Sequence, residues 1–98
     1  MDKREDLWRD LEEGFGGGSK FRILLQLALH PEEAYTKYAL VKATGLRTPS
    51  VAGHLRILVE KGWVKEYPFS PRTYQINRDN QIIKHFIEFL EKIQRPDG

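Results

Sequence analysis

Residues 47–56 read RTPSVAGHLR, and five of these ten side chains carry hydrogen-bonding groups: Arg47, Thr48, Ser50, His54 and Arg56. A guanidinium presents a fork of donors, hydroxyls donate or accept, and an imidazole does either according to its tautomer. Spread along one helix, such groups suit phosphate oxygens and base edges. They do not suit bond-making, because no serine, histidine and carboxylate fall into a triad pattern and no paired carboxylates stand out. GFGGGS (residues 14–19) lies between two helical segments and lacks the lysine-hydroxyl ending of a Walker loop. His85 and Glu88 stand at i, i+3 on a helical segment, a geometry able to hold a metal, but they lack further ligands. No catalytic residue, no cofactor and no metal site is expected.

The distribution of charge gives these groups a context. Residues 36–78 carry eight basic side chains against Glu60 and Glu66, a local charge of +6 within a chain of net charge +2. Residues 1–13 carry −3 and residues 79–98 carry −1. A basic block between acidic ends suits a polyanionic partner. The chain has 98 residues, 40% apolar and 31% charged, which is a globular composition with room for one modest core. Its lack of cysteine excludes disulfides and thiolate metal sites. No apolar run approaches the roughly 20 residues of a membrane span, and the acidic start MDKREDLWRDLEE does not read as a signal peptide. A cytoplasmic location without membrane contact is expected. Abundant Glu, Lys and Arg with few Asn and Gln fit a thermophile.

The elements that must position these residues follow from periodicity. Leu7, Trp8, Leu11 and Phe15 mark a first helix over residues 2–15, with Asp2, Glu5 and Asp6 suiting its dipole. Gly14 and Gly16-Gly17-Gly18 end it. Ser19 is placed to cap SKFRILLQLALH, whose Phe21, Leu24, Leu25 and Ala28 form a stripe that Ile23 and Leu27 extend, so that it requires packing on several sides. After Pro31, EEAY is short enough to be a single bridge. Thr36 caps KYALVKAT, with Ala39, Leu40 and Ala43 inward, and Gly45 sits where a left-handed residue is wanted. Thr48 is placed as the next cap and Pro49 as the first residue of a helix that buries Val51, Leu55 and Leu58. WVKEY and TYQIN, joined by PFSPR, predict a hairpin. Asp79 or Asn80 starts a last helix reaching about Gln94, followed by a frayed tail, Arg95-Pro96-Asp97-Gly98. The fold class is α+β, mostly α, in one domain over residues 1–98. Its core spans 19–78, and helices at 2–15 and 79–95 flank it.

Two helices joined by a glycine turn, the second running straight into a hairpin, predict a winged helix-turn-helix. The stretch YALVKATGLRTPSVAGHLRILVEKGWVKEY resembles the winged-helix transcriptional regulators of the ArsR and MarR type, particularly small archaeal ones. Leu40, Ala43, Gly45-Leu46, Val51, His54-Leu55, Leu58, Lys61-Gly62 and Trp63-Val64 carry the likeness, which covers residues 19–78. The resemblance implies a recognition helix over about 48–61 in the major groove, meeting it with Arg47, Thr48, Pro49, Ser50, Gly53 and His54, flanked by Arg56. It implies a wing over about 67–73, with Arg72 on the backbone or minor groove and Lys65 and Thr73 on phosphates. Lys37 and Lys42 would touch phosphates from the supporting helix. His54 has packing against the wing as its alternative role. Gly53 departs from the basic or polar residue often found there: it either admits close backbone approach to DNA or marks a site that no longer reads bases.

The resemblance further implies a homodimer paired through terminal helices. Leu7, Trp8, Leu11 and Phe15 of the first helix would form that interface with Ile82, Ile83, Phe86, Ile87, Phe89, Leu90 and Ile93 of the last; the alternative is that the first helix folds over the last within one monomer. A broad unpartnered apolar surface supports it. The expected function is sequence-specific binding of double-stranded DNA in transcription regulation. The alternative is a winged-helix protein-interaction module with little DNA affinity.

Overall fold

SKFRILLQLAL carries too many large apolar residues for one stripe, and it becomes the centre of the protein. The computed structural model describes residues 3–15 and 17–94, with side chains from Leu7 onward. In it this helix, α2 (Ser19–Leu29), packs against three other helices and a strand. Ile23 and Leu27 are fully enclosed, and Leu24, Leu25 and Ala28 are buried beside them. Each large aliphatic side chain removed from water stabilises the fold by about 1.5–3 kcal/mol. Before α2 stands α1 (Lys3–Gly14); after it come α3 (Lys37–Thr44), α4 (Thr48–Glu60), β1 (Val64–Tyr67), β2 (Thr73–Ile76) and α5 (Gln81–Gln94). The protein is therefore α+β and mostly helical, in the expected order of elements and compatible with a winged helix. Asp2, Gly16 and the tail expected at residues 95–98 lie outside the described residues, as do the side chains of Glu5 and Asp6.

α3 and α4 are joined by a three-residue turn that local chemistry fixes at both ends. Thr36 Oγ1 accepts from the Ala39 N–H at 3.0 Å and opens α3. Gly45 closes it at φ +74°, its N–H donating to the Val41 carbonyl at 2.9 Å. Ala43, expected inward, is exposed, and Thr44 is buried in its place. Leu40 is fully enclosed, and the residue one turn beyond it is Thr44. The Thr44 hydroxyl donates to the Leu40 carbonyl at 2.6 Å and accepts from the Leu46 N–H at 3.3 Å. A buried polar side chain thus ties the helix end to the turn.

Two helix starts differ from expectation. α4 opens with Arg47 at the cap and Thr48 already helical, because the first rung runs from the Val51 N–H to the Arg47 carbonyl at 3.0 Å. No side chain caps it. α2 likewise opens with Gly18 at the cap, and Ser19 forms no side-chain cap bond. α5 follows the Asn80 option: its Oδ1 accepts from the Ile83 N–H at 3.2 Å.

β1 and β2 pair antiparallel, with Val64 opposite Ile76, Lys65 opposite Gln75, Glu66 opposite Tyr74 and Tyr67 opposite Thr73. Val64, Tyr74 and Ile76 enter the core. Tyr35 supplies the expected single bridge, exchanging two hydrogen bonds with Tyr74 at 2.8 and 2.7 Å. The hairpin is thereby fastened to the segment that leads into α3. Asn77 secures its other end: its Nδ2 donates to the Gly62 carbonyl at 2.8 Å and its N–H to the Trp63 carbonyl at 2.9 Å.

Candidate nucleic-acid interface

Val51, Leu55 and Leu58 turn one side of α4 into the core, so the rest of the helix is committed to the outside. At its start Arg47, Thr48 and Pro49 are exposed. Ser50, Gly53 and His54 are half-buried, and Arg56 is exposed. A cleft of about 600 Å³ lies between this helix, the start of α3 and the hairpin. Pro49, Ala52, Gly53, Arg56, Val59 and Glu60 line it from α4, Lys37 from α3, and Glu66, Arg72 and Tyr74 from the hairpin. Five of the residues expected to touch DNA therefore share one concavity: Lys37, Pro49, Gly53, Arg56 and Arg72. Arg47, Thr48, Ser50, His54, Lys42, Lys65 and Thr73 do not line it.

The cations are not equivalent. Arg72 Nη1 lies 3.4 Å from Glu66 Oε2, and Tyr74 Oη donates to that same oxygen at 3.1 Å. Glu66 therefore engages the loop arginine across the hairpin. Burial, and then the bond to Glu66, raises the Tyr74 phenol above its ordinary pKa, so it remains a neutral donor. Lys65 Nζ is bonded to Asp79 Oδ2 at 3.0 Å, a contact that raises its pKa and binds strand β1 to the loop before α5. Lys42 Nζ sits 5.2 Å from the centroid of the Tyr38 ring, one turn earlier on α3. Tyr38 is 69% exposed. Periodicity passes over this pair because neither side chain belongs to an apolar stripe; their i, i+4 spacing is the available clue. Phe69, at the hairpin tip, is another exposed aromatic to which pattern reading gives no role.

His85 Nδ1 lies 3.1 Å from Glu88 Oε1, a pair on the outer surface of α5. No cluster of three or more metal-ligating side chains occurs among the described residues. No helix among them is long and apolar enough to cross a membrane.

The residues assigned to a dimer interface divide into two sets. Ile83, Ile87 and Leu90 are buried inside the chain itself, which corrects their assignment: this stripe of α5 packs into the core with α2. The adjacent stripe is divided: Ile82 and Phe89 face outward, 59% and 40% exposed, while Phe86 and Ile93 are half-buried against the core. Leu7 is half-buried, and Trp8 and Leu11 lie against their own core. α1 is held to its own chain by Arg22, whose Nε and Nη2 donate to the Glu12 carboxylate at 3.0 and 3.3 Å. The same guanidinium donates to the Thr44 carbonyl at 3.4 Å, linking α1 to the end of α3. Phe15, 66% exposed, stacks on Phe21 at 5.9 Å between centroids, and Phe21 meets the Phe86 edge at 6.3 Å.

No family model, no curated protein and no solved structure matches the chain.

Proposed function

We propose that the protein is a sequence-specific, double-stranded DNA-binding transcriptional regulator of winged helix-turn-helix type that acts as a homodimer. The single observation that carries the reading is the cleft in which Lys37, Arg56 and Arg72 gather from the three parts of the fold that a duplex would meet together. α4 enters the major groove by its N-terminal half. The loop of residues 68–72 follows the backbone or minor groove as a wing, and α3 supports both. The basic block of residues 36–78 supplies the long-range attraction. The uncapped start of α4 adds N–H groups suited to a phosphate. The outward stripe of α5 joins two subunits and sets two copies of α4 on one duplex.

Titrating a labelled duplex at increasing salt tests the reading. Phosphate contacts release counterions, so affinity falls steeply with salt. Lys37→Ala reduces that slope by about one and Arg72→Ala by less, because Glu66 shares its guanidinium, and both weaken specific and random duplex alike. Arg47→Ala and His54→Ala weaken the preferred duplex more than the random one. An absence of duplex binding at low salt removes the DNA reading and leaves the protein-interaction module.

A further inference from the structure

We propose that the N-terminal half of α4 reads thymine methyl groups, so that the preferred duplex presents T·A pairs to the cleft beside the hairpin. This rests on the reading of α4 as the groove-bound helix and names the base chemistry it selects. Along that half of the helix the cleft is lined by Pro49, Ala52 and Gly53. None of the three has a polar side chain. Pro49 has no N–H, and the N–H groups of Ala52 and Gly53 are consumed by the helical ladder. The wall these three make presents a pyrrolidine ring, one methyl group and main chain; the hydrogen-bonding side chains of the cleft come from Lys37, Arg56, Glu60, Glu66, Arg72 and Tyr74. The carbonyls, ring nitrogens and amino groups of the major groove would lose water against this wall without replacement. The C5-methyl of thymine is the one apolar group displayed by an unmodified base pair in that groove, and apolar side chains are its natural contacts.

Gly53 sharpens the assignment. Its φ is not positive, so no backbone conformation requires glycine, and a Cβ built there meets no atom within 4 Å. Nothing inside the protein explains a helix-breaking residue in mid-helix. Its effect is external: the wall is set back by one methyl group between Ala52 and Arg56. The cleft also carries what a seated duplex needs nearby, the cations Lys37, Arg56 and Arg72 for phosphates. Two carboxylates share the cleft: Glu66, 3.4 Å from Arg72 on the hairpin, and Glu60 at the far end of α4, about 10 Å along the helix from Gly53 at 1.5 Å per residue.

The test compares methyl groups alone. The duplex enriched from a random pool is synthesised once with thymine and once with uracil at every T, which preserves pairing and charge. The expected result is about fourfold weaker binding for each seated methyl group removed, the equivalent of burying one such group, with an unchanged salt slope. Gly53→Ala should fold with a raised Tm, since alanine is the better helix former and meets no clash. It should also bind the thymine duplex less well and no longer distinguish thymine from uracil. Equal affinity for the two duplexes overturns the proposal while leaving DNA binding intact. A Gly53→Ala protein that keeps the wild-type ratio overturns its assignment to this wall. Failure of the wild type to bind any duplex in a salt-dependent way overturns the DNA reading itself.

Discussion

Glu66 shows how one carboxylate governs the charge of a surface. It accepts from Tyr74 and pairs with Arg72, so the loop arginine reaches outward only by leaving a partner 3.4 Å away. The pair is more than half exposed on the arginine side, where its own contribution to stability is small. Its effect belongs to binding. Glu66→Gln removes a negative charge from the cleft and releases Arg72 to a phosphate. The expected outcome is tighter binding to random duplex, a salt slope steeper by up to about one, and poorer discrimination between preferred and random sequences. A fluorescence anisotropy titration at several salt concentrations checks it; an unchanged slope would show that Arg72 is already available. Sequence names Arg72 as the loop cation but not its partner. The pairing depends on the register that sets Glu66 opposite Tyr74, and on a five-residue loop whose path no local pattern dictates. Lys65 is equally visible in the sequence and its engagement equally hidden, because Asp79 reaches it only after the chain has turned towards α5.

At the scale of elements, the turn between α3 and α4 and the hairpin behind it are legible wherever the sequence uses standard punctuation. Thr36, Gly45, Gly62 and Asn80 all stand where caps or stops are expected, and the stripe Val51, Leu55, Leu58 is the buried side of α4. What periodicity misses is Thr44, since a threonine scores as polar while its hydroxyl is satisfied within the chain. Thr44→Val keeps the shape but strands the Leu46 N–H. The expected cost is about 1–3 kcal/mol, seen as a fall in Tm of roughly 4–8 °C for each kcal/mol in a domain of this size. Thermal unfolding by circular dichroism measures it. The hairpin gives a second test, through pH. The Tyr74 and Tyr35 phenols both have pKa values raised above the ordinary 10.0, in each case chiefly by burial. A raised value in the folded state means that folding favours the protonated phenol. Its contribution is fully present below about pH 10 and is lost as pH climbs through the folded value. Urea midpoints should therefore be flat up to about pH 9 and fall towards about pH 11. Tyr74→Phe should show a shallower fall, Tyr35 and Lys65 accounting for what is left. A variant as steep as wild type would place the titration elsewhere.

For the whole molecule, the decisive feature is that α5 carries two apolar stripes side by side. Ile83, Ile87 and Leu90 are spaced i, i+4, i+7, and so are Ile82, Phe86 and Phe89, with Ile93 one turn further. Both satisfy helical periodicity equally well, so sequence alone reveals the excess of apolar surface but not which stripe the chain keeps for itself. Packing against α2 decides that: it buries the first stripe and takes only Phe86 and Ile93 of the second against the core. In the dimer proposed above, the exposed Ile82 and Phe89 of the second stripe would meet the second copy. The two stripes should therefore respond to mutation in opposite ways. Leu90→Ala opens a cavity in the core and should cost about 2–5 kcal/mol, lowering Tm whatever the protein concentration. Phe89→Glu places a charge on a side chain already 40% exposed, so the subunit should stay folded. Sedimentation should then find the wild type at twice the 11.5 kDa chain mass at micromolar concentration and Phe89→Glu at the chain mass. The same variant should bind a single half-site nearly as well as wild type but lose most of its affinity for a two-half-site duplex, with a salt slope roughly halved as one subunit's phosphate contacts disappear. A wild type that sediments at the chain mass would leave the α5 stripe without a second copy. A Phe89→Glu protein that remains dimeric would move the interface off this stripe and onto α1.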